Sequence, residues 1–147
     1  MKNIFLLSVL FFTLQFTGCG GGLQTFNLNL HCTENCNNDN AVVIKIYQLK
    51  NAEKFRHASF ESLMRNPEEF LGDDIIPNSK IEKLLVPDET QDFNEVEIKN
   101  DAAFVAIIGD FYSPATDGWK QIIPINSDLR NVKVTVLENS LSVVIDN

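Results

Sequence analysis

Residues 41–49 read AVVIKIYQL, from Ala41 through Val42, Val43, Ile44, Lys45, Ile46, Tyr47 and Gln48 to Leu49. Four of the nine are β-branched, and such side chains lose less freedom on a pleated surface than in a helix. Neither Gly nor Pro interrupts the run, so it predicts a strand. Alternation puts Val42, Ile44 and Ile46 on one side and Lys45, Tyr47 and Leu49 on the other. The lysine on the second side predicts a face partly open to solvent.

Working outward, Phe26, Leu28 and Leu30 alternate with Asn27 and Asn29 upstream, the period of a strand with one wet face. Residues 33–40, TENCNNDN, are polar throughout and form the connecting loop. Downstream the period changes. Within residues 51–72, Phe55, Ala58, Phe60, Leu63, Met64 and Phe70 recur at helical spacing. Asn66-Pro67-Glu68-Glu69 predicts a helix start, with an N-cap, proline at N1 and a carboxylate at N3, and Gly72 a stop. We read two or three short helices there.

The strand period returns at residue 79. Residues 81–86 end at Pro87, and Val96 and Ile98 alternate with charged neighbours. Residues 102–108, apolar on both faces, predict a central strand. Residues 111–118 hold Pro114 and Gly118 and form a loop tip. Val132, Val134 and Val136 alternate with Lys133 and Thr135, and a turn around residues 138–140 leads to Leu141, Val143 and Ile145. About seven or eight short strands broken once by helices predict a mainly β fold, a β-sandwich with a helical insertion near residues 51–72. The sequence carries no internal repeat, low-complexity tract or second domain.

The N-terminus has a different character. After Lys2, residues 4–16 are apolar except for Ser8, Thr13 and Gln15. As a helix such a run reaches about 20 Å, short of the roughly 30 Å hydrocarbon core, so it reads as a signal peptide. Phe16-Thr17-Gly18-Cys19 resembles a bacterial lipobox, at which the cysteine is lipidated and becomes the mature N-terminus. The alternative is a signal helix with an incidental cysteine. A single acyl chain holds a bilayer only marginally, whereas two or three anchor it. Gly20 after the cysteine, in place of Asp, resembles an outer-membrane address. The division is therefore residues 1–18 as signal peptide, 19–23 as lipidated Cys19 with its glycine tether, and 24–147 as the sandwich domain.

Eleven basic against twenty acidic residues give the 129-residue mature chain a net charge of −9. Nucleic acid and bare anionic membrane are repelled by such a surface. A basic protein partner is admitted but not required.

Cys32 and Cys36 are an even pair in a chain addressed to an oxidising compartment. They form a disulfide closing a five-residue loop, or stay as free thiols, or join His31 or His57 in a metal site, for which the C-x₃-C spacing is weak support. Our reading favours the disulfide and assigns no metal.

Catalytic options are few. The sequence lacks a nucleophile elbow, a H-E-x-x-H pair, a phosphate-cradling loop and a dinucleotide fingerprint. Asp73 with Asp74, and Glu68 with Glu69, read as solvated helix-end carboxylates and not as an acid–base pair. Tyr47 and Trp119 combine apolar bodies with polar tips, which suits either an interface or packing at the edge of the sandwich.

An ordered set of segments goes further. Residues 42–50, VVIKIYQLK, followed by Phe55, Ala58-Ser59-Phe60 and Leu63, then Leu85-Val86-Pro87, the apolar residues 103–108 with Asp110-Phe111, and Trp119-Lys120, resemble the outer-membrane lipoprotein of the type VI secretion system, the TssJ (SciN/VasD) family. With the lipobox, the resemblance spans nearly the entire chain. It implies a transthyretin-like β-sandwich with added helices, no enzymatic activity and no cofactor beyond the covalent lipid on Cys19. It further implies tethering to the periplasmic face of the outer membrane, docking to the periplasmic C-terminal domain of TssM, and a membrane complex with TssL. In that family the loop between the first two strands contributes to the contact. By position this assigns Thr33, Glu34, Asn35, Asn37, Asn38, Asp39 and Asn40 to partner binding, while the two cysteines are not part of the family pattern. A Cys32–Cys36 bridge would order that loop before docking. The competing functions are a lipoprotein that binds or carries a small ligand in a cleft, and a lipid-anchored hydrolase.

Overall fold

The computed structural model describes residues 22–146; Cys19 and the residues read above as a signal peptide lie outside them. Eight strands and three short helices follow in the order β1 Thr25–Cys32, β2 Val42–Leu49, α1 Glu53–His57, α2 Phe60–Arg65, α3 Pro67–Leu71, β3 Ile81–Leu85, β4 Thr90–Glu97, β5 Phe104–Asp110, β6 Lys120–Pro124, β7 Asn131–Val136 and β8 Leu141–Asp146. They make two four-stranded sheets, β4-β1-β7-β8 and β3-β2-β5-β6. Only β1 and β7 run parallel; every other pairing is antiparallel.

The sheets face each other across a continuous apolar core. β1 contributes Phe26, Leu28, Leu30 and Cys32, β7 contributes Val132, Val134 and Val136, and β2 and β5 contribute Val42, Ile44, Ile46, Val105 and Ile107, all buried. Gln48 points into the same space. Its Nε2 donates to the Glu97 carbonyl and its Oε1 accepts from the Lys99 backbone N–H, both at 2.8 Å. A buried amide with both ends satisfied latches one sheet to the other without leaving an orphan.

The second face of β2 departs from the expectation. Tyr47 and Leu49 are completely buried there, because α1–α3 fold back over that face. The register pairs Tyr47 with Ala106 and Leu49 with Phe104, so the helices cover β5 as well as β2. The alternation identified the two faces of β2; it could not say that the amphipathic insertion supplies the lid for one of them.

Local sequence explains the insertion. The Ser59 side chain accepts from the Ser62 N–H at the start of α2. Asn66 accepts from the Glu69 N–H at 3.2 Å and donates back to Glu69 Oε2 at 2.8 Å, a reciprocal cap with Pro67 at the first helical position. Gly72, at φ +55°, ends α3 in a conformation that disfavours a Cβ. A single 3₁₀ turn, Gly72–Asp74, leads back to the sheet.

Strand β6 escaped the sequence reading because KQIIP is short and carries no clean alternation. It pairs β5 at a sheet edge, where its terminal Pro124 removes no needed donor. No helix among the described residues is long and apolar enough to cross a membrane.

Candidate functional site

β1 separates the two ends of the sandwich. Eight residues at about 3.3 Å each carry the chain roughly 26 Å from the entry at residue 25 to the loop after Cys32. That loop, residues 33–40, therefore sits opposite the end where the described chain begins.

The loop is internally braced. The sulfurs of Cys32 and Cys36 are bonded, and both residues are fully buried. Asn37, Asn38 and Asp39 all lie at positive φ, 47°, 54° and 60°, a left-handed run that Asn and Asp tolerate better than other side chains. Asn37 turns inward, only 4% exposed. Its Nδ2 donates to the Ala41 carbonyl at 2.6 Å and its Oδ1 accepts from the Tyr112 N–H at 2.6 Å. Thr33 is half-buried and donates to the Val136 carbonyl. Glu34, Asn35, Asn38, Asp39 and Asn40 are exposed. Of the seven residues assigned to partner contact, Asn37 thus belongs to the loop's interior and five stand on its surface.

Main-chain hydrogen bonds tie this loop to two others, residues 86–89 and 137–140, and the Asn37 side chain ties it to a third, residues 111–119. Cys32 N–H donates to Glu89 O at 2.9 Å, Thr33 N–H to Val136 O at 3.0 Å and Asn37 N–H to Leu137 O at 3.1 Å. The four loops therefore form one surface. Of its exposed carboxylates, Glu34, Asp39, Asp88, Asp110 and Glu138 form no ion pair among the described residues, and Asp117 lies near the Lys120 ammonium.

The other sequence candidates lie outside residues 33–40. His31 Nδ1 is 2.9 Å from Thr90 Oγ1, and His57 stands on α1 beside Glu53. Among the described residues no three His, Cys, Asp or Glu side chains gather as metal ligands would. Trp119 is buried, edge-on to Phe60 at 5.1 Å.

Two polar clusters on the helical side were not visible in the sequence. The Tyr47 hydroxyl and the Lys80 ammonium both donate to Glu68 Oε1 at 2.8 Å, and Lys80 also pairs with Glu82 at 2.9 Å. Burial works against the Glu68 charge, but the hydrogen bonds from Lys80 and Tyr47 outweigh it and hold the carboxyl below its usual value. Burial, and then the bond to Glu68, push Tyr47 up. Its bonds to Glu68 and Glu82 do the same for Lys80. Glu68, read as a solvated carboxylate, is thus the pin that fastens α3 to β2. Lys120 does the equivalent for α1: its ammonium donates to the carbonyls of Phe55, Arg56 and Ala58 at 2.8, 2.9 and 2.7 Å. Burial lowers its pKa, opposed by the nearby Asp117.

Beside Lys120, a hollow of about 690 Å³ lies between the α1–α2 turn and residues 114–121. Of the charged residues that line it, Lys120 is committed to three carbonyls, while Arg56 and Asp117 stand at its rim.

A family model described as type VI secretion lipoprotein, VasD, EvfM, TssJ matches residues 24–145. The chain belongs to this family. Solved structures carry the same fold. The type VI secretion lipoprotein TssJ1 from Pseudomonas aeruginosa superposes with a TM-score of 0.76 at 18% identity, covering 86% of this chain and 98% of that one. Serratia marcescens Lip, a membrane-bound component of the type VI secretion system, gives 0.69 at 14% identity, over 81% of this chain and 96% of that one. A chain in the structure of the TssM C-terminal domain from EAEC gives 0.69 at 24% identity, over 82% of this chain and all of that one. No curated protein matches this sequence. Eight strands in two sheets with three short helices are thus the fold of this type VI secretion lipoprotein, as the resemblance implied.

Proposed function

We propose that this type VI secretion lipoprotein is held by acyl chains on Cys19 to the periplasmic face of the outer membrane, and that its opposite end docks the periplasmic C-terminal domain of TssM within a complex that includes TssL. Family membership supports the assignment to the secretion membrane complex, and a chain of this fold in the "Type VI membrane complex" structure accords with it (TM-score 0.71, 22% identity, over 84% of this chain and 99% of that chain). The observation that carries the reading is the braced loop 33–40, held by a disulfide and by main-chain bonds to its neighbours at the end away from the tether. An anchor at one end leaves the other free to meet a partner rising from the inner membrane. Ordering the loop before contact removes an entropy cost from docking. The role is structural, with no catalytic residue and no cofactor assigned.

Pull-down of the lipoprotein from envelope extracts is expected to recover TssM, and Cys19→Ser is expected to release the chain from the outer-membrane fraction. Failure to recover TssM sinks the docking reading; Cys19→Ser chain remaining in the membrane sinks the anchor.

A further inference from the structure

The loop end combines an exposed apolar group with charge of one sign. Tyr112 is 84% exposed, yet its backbone N–H is fixed by the buried Asn37 side chain at 2.6 Å. Val86 and Leu137, 48% and 38% exposed, lie on the two loops bonded to the same segment. An aromatic side chain presented on braced backbone loses little freedom when it enters a pocket, and Tyr is among the residues that dominate interface energetics. The surroundings supply the second observation. Residues 33–41, 86–89, 110–119 and 137–140 contain seven carboxylates and no Lys, Arg or His; of the seven, Glu89 alone is ion-paired among the described residues, with Lys83 at 3.9 Å. At the opposite end, residues 22–24, 98–103 and 125–130 balance two acidic residues against two basic ones. The net charge of the molecule is therefore concentrated where the apolar side chains protrude.

We infer that this end recognises a basic protein surface, one in which Lys and Arg side chains surround an apolar pocket that takes the Tyr112 ring. Tyr112 is the anchor, Val86 and Leu137 flank it, and Glu34, Asp39 and Glu138 steer the approach. The inference rests on the docking reading and names the chemistry of its partner. Opposite charge on the two faces raises the association rate and makes it salt-sensitive. Burial of the ring governs how long the complex lasts. The surface thus reaches beyond the loop assigned from sequence to three further loops that the fold brings beside it.

The test uses the detergent-purified lipoprotein and the purified periplasmic domain of TssM. Tyr112→Ala is expected to weaken binding by about ten-fold or more, mainly through faster dissociation. Glu34→Gln with Asp39→Asn and Glu138→Gln is expected to slow association several-fold and flatten its salt dependence. Because these side chains are exposed, Tyr112→Ala should unfold at the wild-type temperature and the charge variant no lower than it; Val86→Ser provides a second apolar variant with the same expected direction. If the wild-type chain binds while Tyr112→Ala and Val86→Ser stay within about two-fold of it, or while the charge variant keeps the wild-type rate, the inference falls and docking stands. If the wild-type chain does not bind TssM, both fall.

Discussion

Three side chains, Tyr47, Glu68 and Lys80, join the insertion to the sheet through one carboxylate oxygen. Tyr47→Phe keeps the ring and removes the donor, so its cost is that of one hydrogen bond to a charged acceptor, about 1–2 kcal/mol, read by chemical unfolding. Its second effect is sharper. A carboxyl held below its usual value contributes stability that is present above the unfolded value and is lost as pH falls through the lowered one. Losing the Tyr47 donor moves Glu68 back toward the ordinary carboxylate value, so acid unfolding of Tyr47→Phe begins at higher pH than wild type. Identical acid profiles would refute the assignment. None of this was legible in the sequence. Tyr47 could be read as apolar with a polar tip and Glu68 as a helix-start acid. Their meeting depends on α3 folding across 21 residues onto the strand, and no local pattern encodes that return. Lys120 is the same case, 62 residues from the nearest carbonyl it satisfies.

At the scale of elements, legibility followed local chemistry. The strands with clean alternation, β1, β2 and β7, and the Asn66 cap of α3 were readable because period two and the capping box act over a few residues. β6 was not, since a short edge strand is defined by its partner. In the loop at residues 33–40, composition indicated a turn, but the left-handed run at Asn37, Asn38 and Asp39 and the inward side chain of Asn37 depend on partners as distant as Tyr112. Three consecutive residues in that conformation oppose the intrinsic preference of L-residues, so the loop needs its brace. Cys32→Ala with Cys36→Ala is expected to reduce stability by about 2 kcal/mol, the size appropriate to a very short closed loop. Amide exchange should accelerate in residues 33–40 while β5 stays protected, and affinity for TssM should fall. Unchanged exchange in the loop would show that the Asn37 hydrogen bonds hold it without the bridge.

For the molecule as a whole, the decisive quantity is where the charge sits. The surface ion pairs, such as Arg65 with Glu61 and Lys99 with Glu97, are exposed or half-exposed. Each contributes a few tenths of a kcal/mol, which salt diminishes. Against them stand the net charge of −8 and the carboxylates gathered on one end, of which Glu34, Asp39, Asp88, Asp110 and Glu138 form no ion pair among the described residues, and whose mutual repulsion salt also diminishes. The two effects have opposite sign, and we expect the repulsion to be the larger because Glu89 alone of the seven carboxylates at that end is ion-paired among the described residues. Raising sodium chloride from about 20 to about 500 mM, which shortens the screening length from roughly 20 Å to about 4 Å, is therefore expected to raise the unfolding temperature by about 2–4 °C. Glu34→Gln with Asp39→Asn and Glu138→Gln should raise it at low salt and remove most of the salt response. A fall in unfolding temperature with salt would mean that the ion pairs dominate and that the acidic end carries no net strain. A rise would show that the chain stores repulsion on the surface assigned to docking, and a basic partner relieves that repulsion as it binds, so that folding stability and association draw on the same electrostatic term.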